Sequence, residues 1–173
     1  NRFHFGIGVS PWYEDFLATG ERWEKRGKRM DEQIDILKGL MDGKYFGYKG
    51  EFYDIPELKL CPVPTKPVPI LIGGHSNLAL KRAARIGDGW ISAGITLDET
   101  EIFINKINKY REDFGTLDHP NYQIQVMGEA AYSPDGVKQL EDLGVTEVIV
   151  AFRNAYEGGP DERTLDGLIA EIN

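Results

Sequence analysis

The 173-residue sequence predicts an α/β fold, part of a TIM (β/α)8 barrel, and three observations point there. Short apolar runs alternate with segments of helical periodicity through the second half, the pattern of a parallel sheet with helices outside it. The run at residues 122–129 is apolar on one face (Tyr122, Ile124, Val126) and polar on the other (Gln123, Gln125, Glu129). An open sheet covered by helices on both sides is apolar on both faces, whereas a polar inner face suits a barrel lumen near its ligand-bearing mouth. The opening run repeats the theme, with Phe3, Phe5, Ile7 and Val9 on one face and His4, Gly6, Gly8 and Ser10 on the other.

Residues 2–9 read as the first strand on that alternation. A helix follows over residues 20–42, where Trp23, Met30, Ile34, Leu37 and Met41 fall on one face. Lys25, Arg26, Lys28 and Arg29 sit at its start, the unfavourable end for cations, so partners such as Glu21, Asp31 and Glu32 are expected. The aromatic pairs around Lys49-Gly50 predict a β-hairpin excursion near residues 45–53, and the five prolines of residues 56–69 an extended connection. Strands are then expected at residues 68–72, 89–93, 122–130 and 145–152, the last one buried. Helices are expected at 78–86, 98–114, 135–143 and 161–172. This makes about five βα units, whereas a closed eight-unit barrel takes about 250 residues.

With 41% hydrophobic and 28% charged residues, the chain has the balance of a soluble globular protein. No apolar run approaches the roughly 20 residues of a membrane span, and no signal-peptide pattern is present. The single cysteine, Cys61, points to a reducing, cytoplasmic setting. A net charge of −8 argues against nucleic acid as a partner. Residues 44–93 nevertheless carry seven Lys/Arg against four Asp/Glu, a local excess that suits a small anionic ligand, with a solvated face of mixed charge as the plainer reading.

Gly73-Gly74-His75-Ser76 lies where a strand turns into a helix. Main-chain amides there lack helical partners, the helix dipole favours an anion, and glycines let a phosphate come close. A cap without ligand explains the same residues, with Ser76 or Asn77 as the capping side chain. Gly6, Gly8 and Ser10 share one face at the C-terminal end of the first strand, and small residues there leave room for a flat ring; tight packing is the alternative. His4, His75 and His119 are too far apart in sequence for a recognisable metal motif, so no metal site is expected. Glu129 is a candidate acid, base or acceptor at the mouth, with a solvated glutamate as the plainer reading. No catalytic residue is assigned.

Together these stretches resemble the bacterial luciferase-like family of flavin- and F420-dependent oxidoreductases, nearest its F420-dependent branch. The resemblance rests on Gly6-Ile7-Gly8-Val9-Ser10-Pro11-Trp12, on Arg26-Gly27-Lys28-Arg29-Met30-Asp31-Glu32, on Pro69-Ile70-Leu71-Ile72-Gly73-Gly74, and on Arg82 through Trp90. It implies that residues 1–173 form one barrel domain holding the fourth to eighth βα units, with the first three absent. It also implies F420 or FMN as cofactor, its phosphate at Gly73, Gly74, His75 and Ser76 and its ring past Gly8, Val9 and Ser10. The function implied is hydride transfer or oxygen activation (monooxygenase chemistry) on a small organic substrate. The expected partners are that substrate and a second copy of the chain, with neither nucleic acid nor membrane. Two other readings are a non-catalytic flavin-binding or assembly module on a shortened barrel, and an unrelated α/β barrel binding a phosphorylated metabolite.

Overall fold

The computed structural model describes residues 3–150. Five parallel strands form one sheet: β1 (Phe5–Ile7), β4 (Ile70–Gly73), β5 (Gly89–Ile91), β6 (Gln123–Val126) and β7 (Glu147–Val148). Among the described residues their spatial order follows the chain without reversal, so every crossover there runs the same way and none makes a switch point of the doubly wound kind. The helices α2 (Arg26–Met41), α3 (Asn77–Ile86), α4 (Leu97–Phe114) and α5 (Pro134–Asp142) all contribute to one core. Met30, Ile34, Leu80, Ala83, Ile104, Ile107 and Leu140 meet Ile70, Ile72, Trp90, Ile124 and Val126 there. The register puts those strand residues on one face and Gly6, Leu71, Gly73, Gly89, Ile91, Gln123, Gln125 and Glu147 on the other.

The second face is concave. His4, just before β1, reaches Gln125 on β6 with 3.3 Å between Nδ1 and Nε2, although β4 and β5 lie between. Three strand spacings on a flat sheet amount to about 14 Å, beyond the combined reach of these side chains. The sheet therefore curls as an arc of a barrel, and a polar inner layer replaces the aliphatic one common in such lumens.

Several boundaries differ from expectation. A short helix, α1 (Tyr13–Thr19), precedes the long one and ends at Gly20 in the left-handed conformation. Trp23 then lies outside the long helix, edge-on to Tyr13 and Phe16, and α2 starts at Arg26. The hairpin pairs β2 (Phe46–Lys49) with β3 (Asp54–Leu58), so its turn spans residues 50–53 and its second strand runs into the proline-rich stretch. Glu32 sets that turn: its carboxylate accepts from the amides of Glu51, Phe52 and Tyr53 at 2.6, 3.0 and 3.2 Å. β6 stops at Val126, and Glu129 opens a 3-10 turn (Glu129–Tyr132) and is exposed, in line with the plainer reading of a solvated glutamate. The strand expected to be buried at residues 145–152 shows only Glu147–Val148 as strand, and both are exposed. They lie at the end of the sheet, where one side has no neighbour among the described residues. Residues 151–152 of that strand, Arg2 of the first, and the helix at 161–172 lie outside the described residues. Among the described residues no helix is long and apolar enough to cross a membrane.

Of the basic cluster, Arg29 meets Glu21 at 3.6 Å, as anticipated, while Lys25 pairs with Glu51 of the hairpin turn. Asp31 instead takes Arg82 and Arg85 of α3, which ties α2 to α3. Of the seven basic residues at 44–93, Lys44, Lys49, Arg82 and Arg85 face carboxylates.

Candidate functional site

The two glycine-rich strand ends adjoin. Phe5, Gly6 and Ile7 pair with Ile70, Leu71 and Ile72, and the next residues up, Gly8 and Gly73, face each other across the pair. A Cβ built on Gly8 would stand 3.6 Å from the Gly73 carbonyl oxygen, and one on Gly73 would stand 3.4 Å from the Ile7 oxygen. The sequence thus places Gly8, Val9 and Ser10 beside Gly73, Gly74, His75 and Ser76 at the C-terminal end of the sheet, where ligands of parallel α/β folds bind.

Gly74 has φ +115°, a conformation that side-chain-bearing residues rarely adopt, and a Cβ there would meet Ala79 at 3.1 Å. This bend lets the chain leave β4 and enter α3 within a few residues. Ser76 caps that helix, its Oγ accepting from the Ala79 amide at 3.2 Å. Capping uses an acceptor lone pair and leaves the hydroxyl proton available to an anion. Gly74 donates nothing to the cap, but its carbonyl accepts from Trp90 Nε1 at 2.9 Å, which fixes the corner to the core. The His75 ring stacks on Phe103 (5.2 Å, 13°) and lies edge-on to Trp90. Its side chain is therefore engaged with α4 and β5.

Gly8, Val9 and Ser10 line a cleft of about 310 Å3 together with Asp15, Phe16, Thr19, Glu21, Arg26, Arg29, Met30 and Gln33. Residues 73–76 lie outside this lining. Ser10 Oγ donates to Asp15 at 2.5 Å and accepts from the Trp12 amide at 3.1 Å, so the hydroxyl is committed to shaping the loop. Arg26 and Arg29 are the residues that sequence reasoning left unassigned to the site. Arg29 is held by the Arg22 carbonyl at 2.7 Å and by Glu21. The Arg26 guanidinium lies 3.5 Å over the Trp23 ring, and its buried Nε has no hydrogen-bond partner among the described residues. An arginine stacked on indole is pre-oriented, and a buried N–H without an acceptor is costly. Both features suit an incoming anion. The signal in the sequence was the pair at spacing three in a cationic cluster on a helix N-terminus.

Residues 1–135 match the luciferase-like monooxygenase family. The chain belongs to that family. An uncharacterized protein of Mycobacterium tuberculosis is 47% identical over 172 residues, which is 99% of this chain and 59% of that protein. The chain therefore spans about three fifths of the length of this curated relative. An FMNH2-dependent dimethylsulfone monooxygenase of Pseudomonas fluorescens is 31% identical over 103 residues, 57% of this chain and 28% of that one. In structure, an F420-dependent secondary alcohol dehydrogenase in complex with an F420-acetone adduct superposes with a TM-score of 0.65 at 18% identity. The superposition covers 73% of this chain and 39% of that one. That likeness shows the fold, an arc of the barrel. Relatives in the family use F420 or reduced FMN.

Proposed function

We propose that this chain is the cofactor-holding part of a flavin- or deazaflavin-dependent oxidoreductase. In this reading the anionic portion of F420 or FMN lies where Gly8, Val9 and Ser10 meet Gly73, Gly74, His75 and Ser76. The observation that carries it is the contact of the two glycine strand ends, together with an arginine that has a buried, unpartnered N–H and lines the cleft beside Gly8, Val9 and Ser10. The residues fit such a group: Ser76 keeps a proton to donate, Gly74 lets main chain approach, and Arg26 supplies charge without a paired carboxylate among the described residues. His75 contributes its main chain, since its ring is stacked on Phe103. When bound, the reduced ring supplies a hydride or activates oxygen toward a small organic substrate. The chain's own part is to bind and orient, and no residue is assigned to proton transfer. A second copy of the chain and a cytoplasmic setting belong to the same proposal.

Fluorescence titration of the full chain with FMN and with F420 tests this. Saturable binding of one or both is expected. Arg26→Gln is expected to weaken it about tenfold or more, since a hydrogen bond to a charged group contributes about 1.5–3 kcal/mol, and to flatten its salt dependence. Failure to bind either cofactor, or equal affinity in R26Q, contradicts the reading.

A further inference from the structure

The polar layer on the concave face is separate from the strand-end site and carries an inference of its own. Gln125 is 7% exposed, and its amide nitrogen donates to Glu147 Oε2 at 2.7 Å and lies 3.3 Å from His4 Nδ1. Turning the amide over would set a carbonyl oxygen 2.7 Å from a carboxylate oxygen, two acceptors with no proton between them. The carboxylate therefore fixes which end of the amide faces it. With both amide protons directed at Glu147 and His4, the ring nitrogen must accept, and a neutral His4 carries its proton on Nε2. Glu147 Oε1 is 3.8 Å from His4 Nδ1, too far for a hydrogen bond, so the carboxylate acts on the ring through the amide.

We propose that Glu147 and Gln125 act in series to hold His4 as its Nε2–H tautomer, presenting an N–H donor to an acceptor oxygen of a ligand on the concave face. His4 is then a ligand-binding residue, and Gln125 and Glu147 are positioning residues. The ligand class is a small organic carbonyl or carboxylate compound. Two further observations support a ligand there. The His4 side chain is 31% exposed, so its ring is reachable. Gln123, on the same face of β6, has a buried Oε1 without a donor among the described residues, an acceptor that a bound hydroxyl or water would satisfy. The inference rests on the proposed function only in taking the concave face as the ligand side.

Long-range 1H–15N spectra of the labelled full chain, with the three histidines assigned by substitution, test it. A bare Nδ1 and a protonated Nε2 are expected at His4 above neutral pH. E147L and Q125L release the lock, and the Nδ1–H tautomer is expected to rise several-fold in both, although position 147 makes no hydrogen bond to the ring. Titration with acetate is expected to shift His4 Nε2 in the parent chain and to do so about tenfold more weakly in Q125L, a difference of about 1.4 kcal/mol. A proton on Nδ1 in the parent chain, or tautomer populations unchanged in both variants, overturns the proposal, as does an Nε2 resonance indifferent to acetate. These spectra need no cofactor, so they and the FMN and F420 titrations fail independently.

Discussion

Gly8 lies against the main chain of Gly73, with only 3.6 Å between a Cβ placed on the first and the carbonyl oxygen of the second. That spacing is ordinary van der Waals contact, so alanine fits at position 8 while a larger side chain must extend into the space at the strand end. Gly8→Ala is expected to leave folding and cofactor affinity nearly unchanged. Gly8→Leu is expected to weaken binding about tenfold or more, about 1.4 kcal/mol, with a small change in thermal stability. Parallel titrations and melting curves check the pair, and a Leu variant that binds normally removes Gly8 from the site.

Gly74 combines a φ of +115° with a Cβ position 3.1 Å from Ala79. Gly74→Val is expected to cost about 1–3 kcal/mol in denaturant unfolding, because a side chain there is held in a sparsely populated conformation. It is also expected to weaken FMN or F420 binding in the fraction that stays folded. Gly115, with φ +67° and open space around it, is the control. Gly115→Ala is expected to cost about 1–2 kcal/mol while leaving affinity unchanged.

Glu32 accepts from three successive amides of the hairpin turn. Removing the carboxylate strands those donors, and Glu32→Ala is expected to cost about 1–3 kcal/mol and to speed hydrogen exchange at residues 51–53. The neighbouring Lys25 hydrogen bond holds the Glu51 carboxyl below its usual range. The sign is that of a depressed acid: its small, solvent-screened contribution is present above the ordinary carboxylate range and fades as pH falls through the folded-state value. Unchanged exchange at residues 51–53 in Glu32→Ala contradicts the docking role.

Burial pushes the Tyr122 phenol well up, against the opposing pull of the Arg111 guanidinium 3.9 Å from the ring. Its hydroxyl is buried without a hydrogen-bond partner among the described residues. The folded state thus keeps the phenol protonated where the unfolded chain loses the proton, so stability is full below about pH 10 and declines above it. Tyr122→Phe is expected to flatten that alkaline decline and to leave stability at neutral pH within about 1 kcal/mol, since it removes an unsatisfied polar group. Denaturant curves between neutral and alkaline pH check this, and an equally steep decline in the phenylalanine variant contradicts it.

Much of the architecture was legible where periodicity was strong. The polar alternation at Gln123 and Gln125 foretold the concave face, and Ser76 was foreseen as a cap. Boundaries failed where a local signal was outvoted. Gly20 terminates α1 instead of starting the next helix, a role that its left-handed conformation makes natural. Pro56 entered a strand because an isolated two-stranded ribbon has free edges that tolerate a missing N–H. The partners of Asp31 and Glu32 were not legible at all. One is set by α3 crossing α2 and the other by a turn folding back, relationships that sequence separation hides. Arg26 was visible only as one of a basic cluster, because its place in the site depends on Trp23 and on a cleft shared with Gly8, Val9 and Ser10.

The most direct test follows the amide resonances of the 15N-labelled full chain as FMN or F420 is added. The account predicts the largest shifts at Gly8, Val9, Ser10, Gly73, Gly74, His75 and Ser76, saturating together. Saturable shifts confined to other parts of the chain, with those seven amides unmoved, would contradict it.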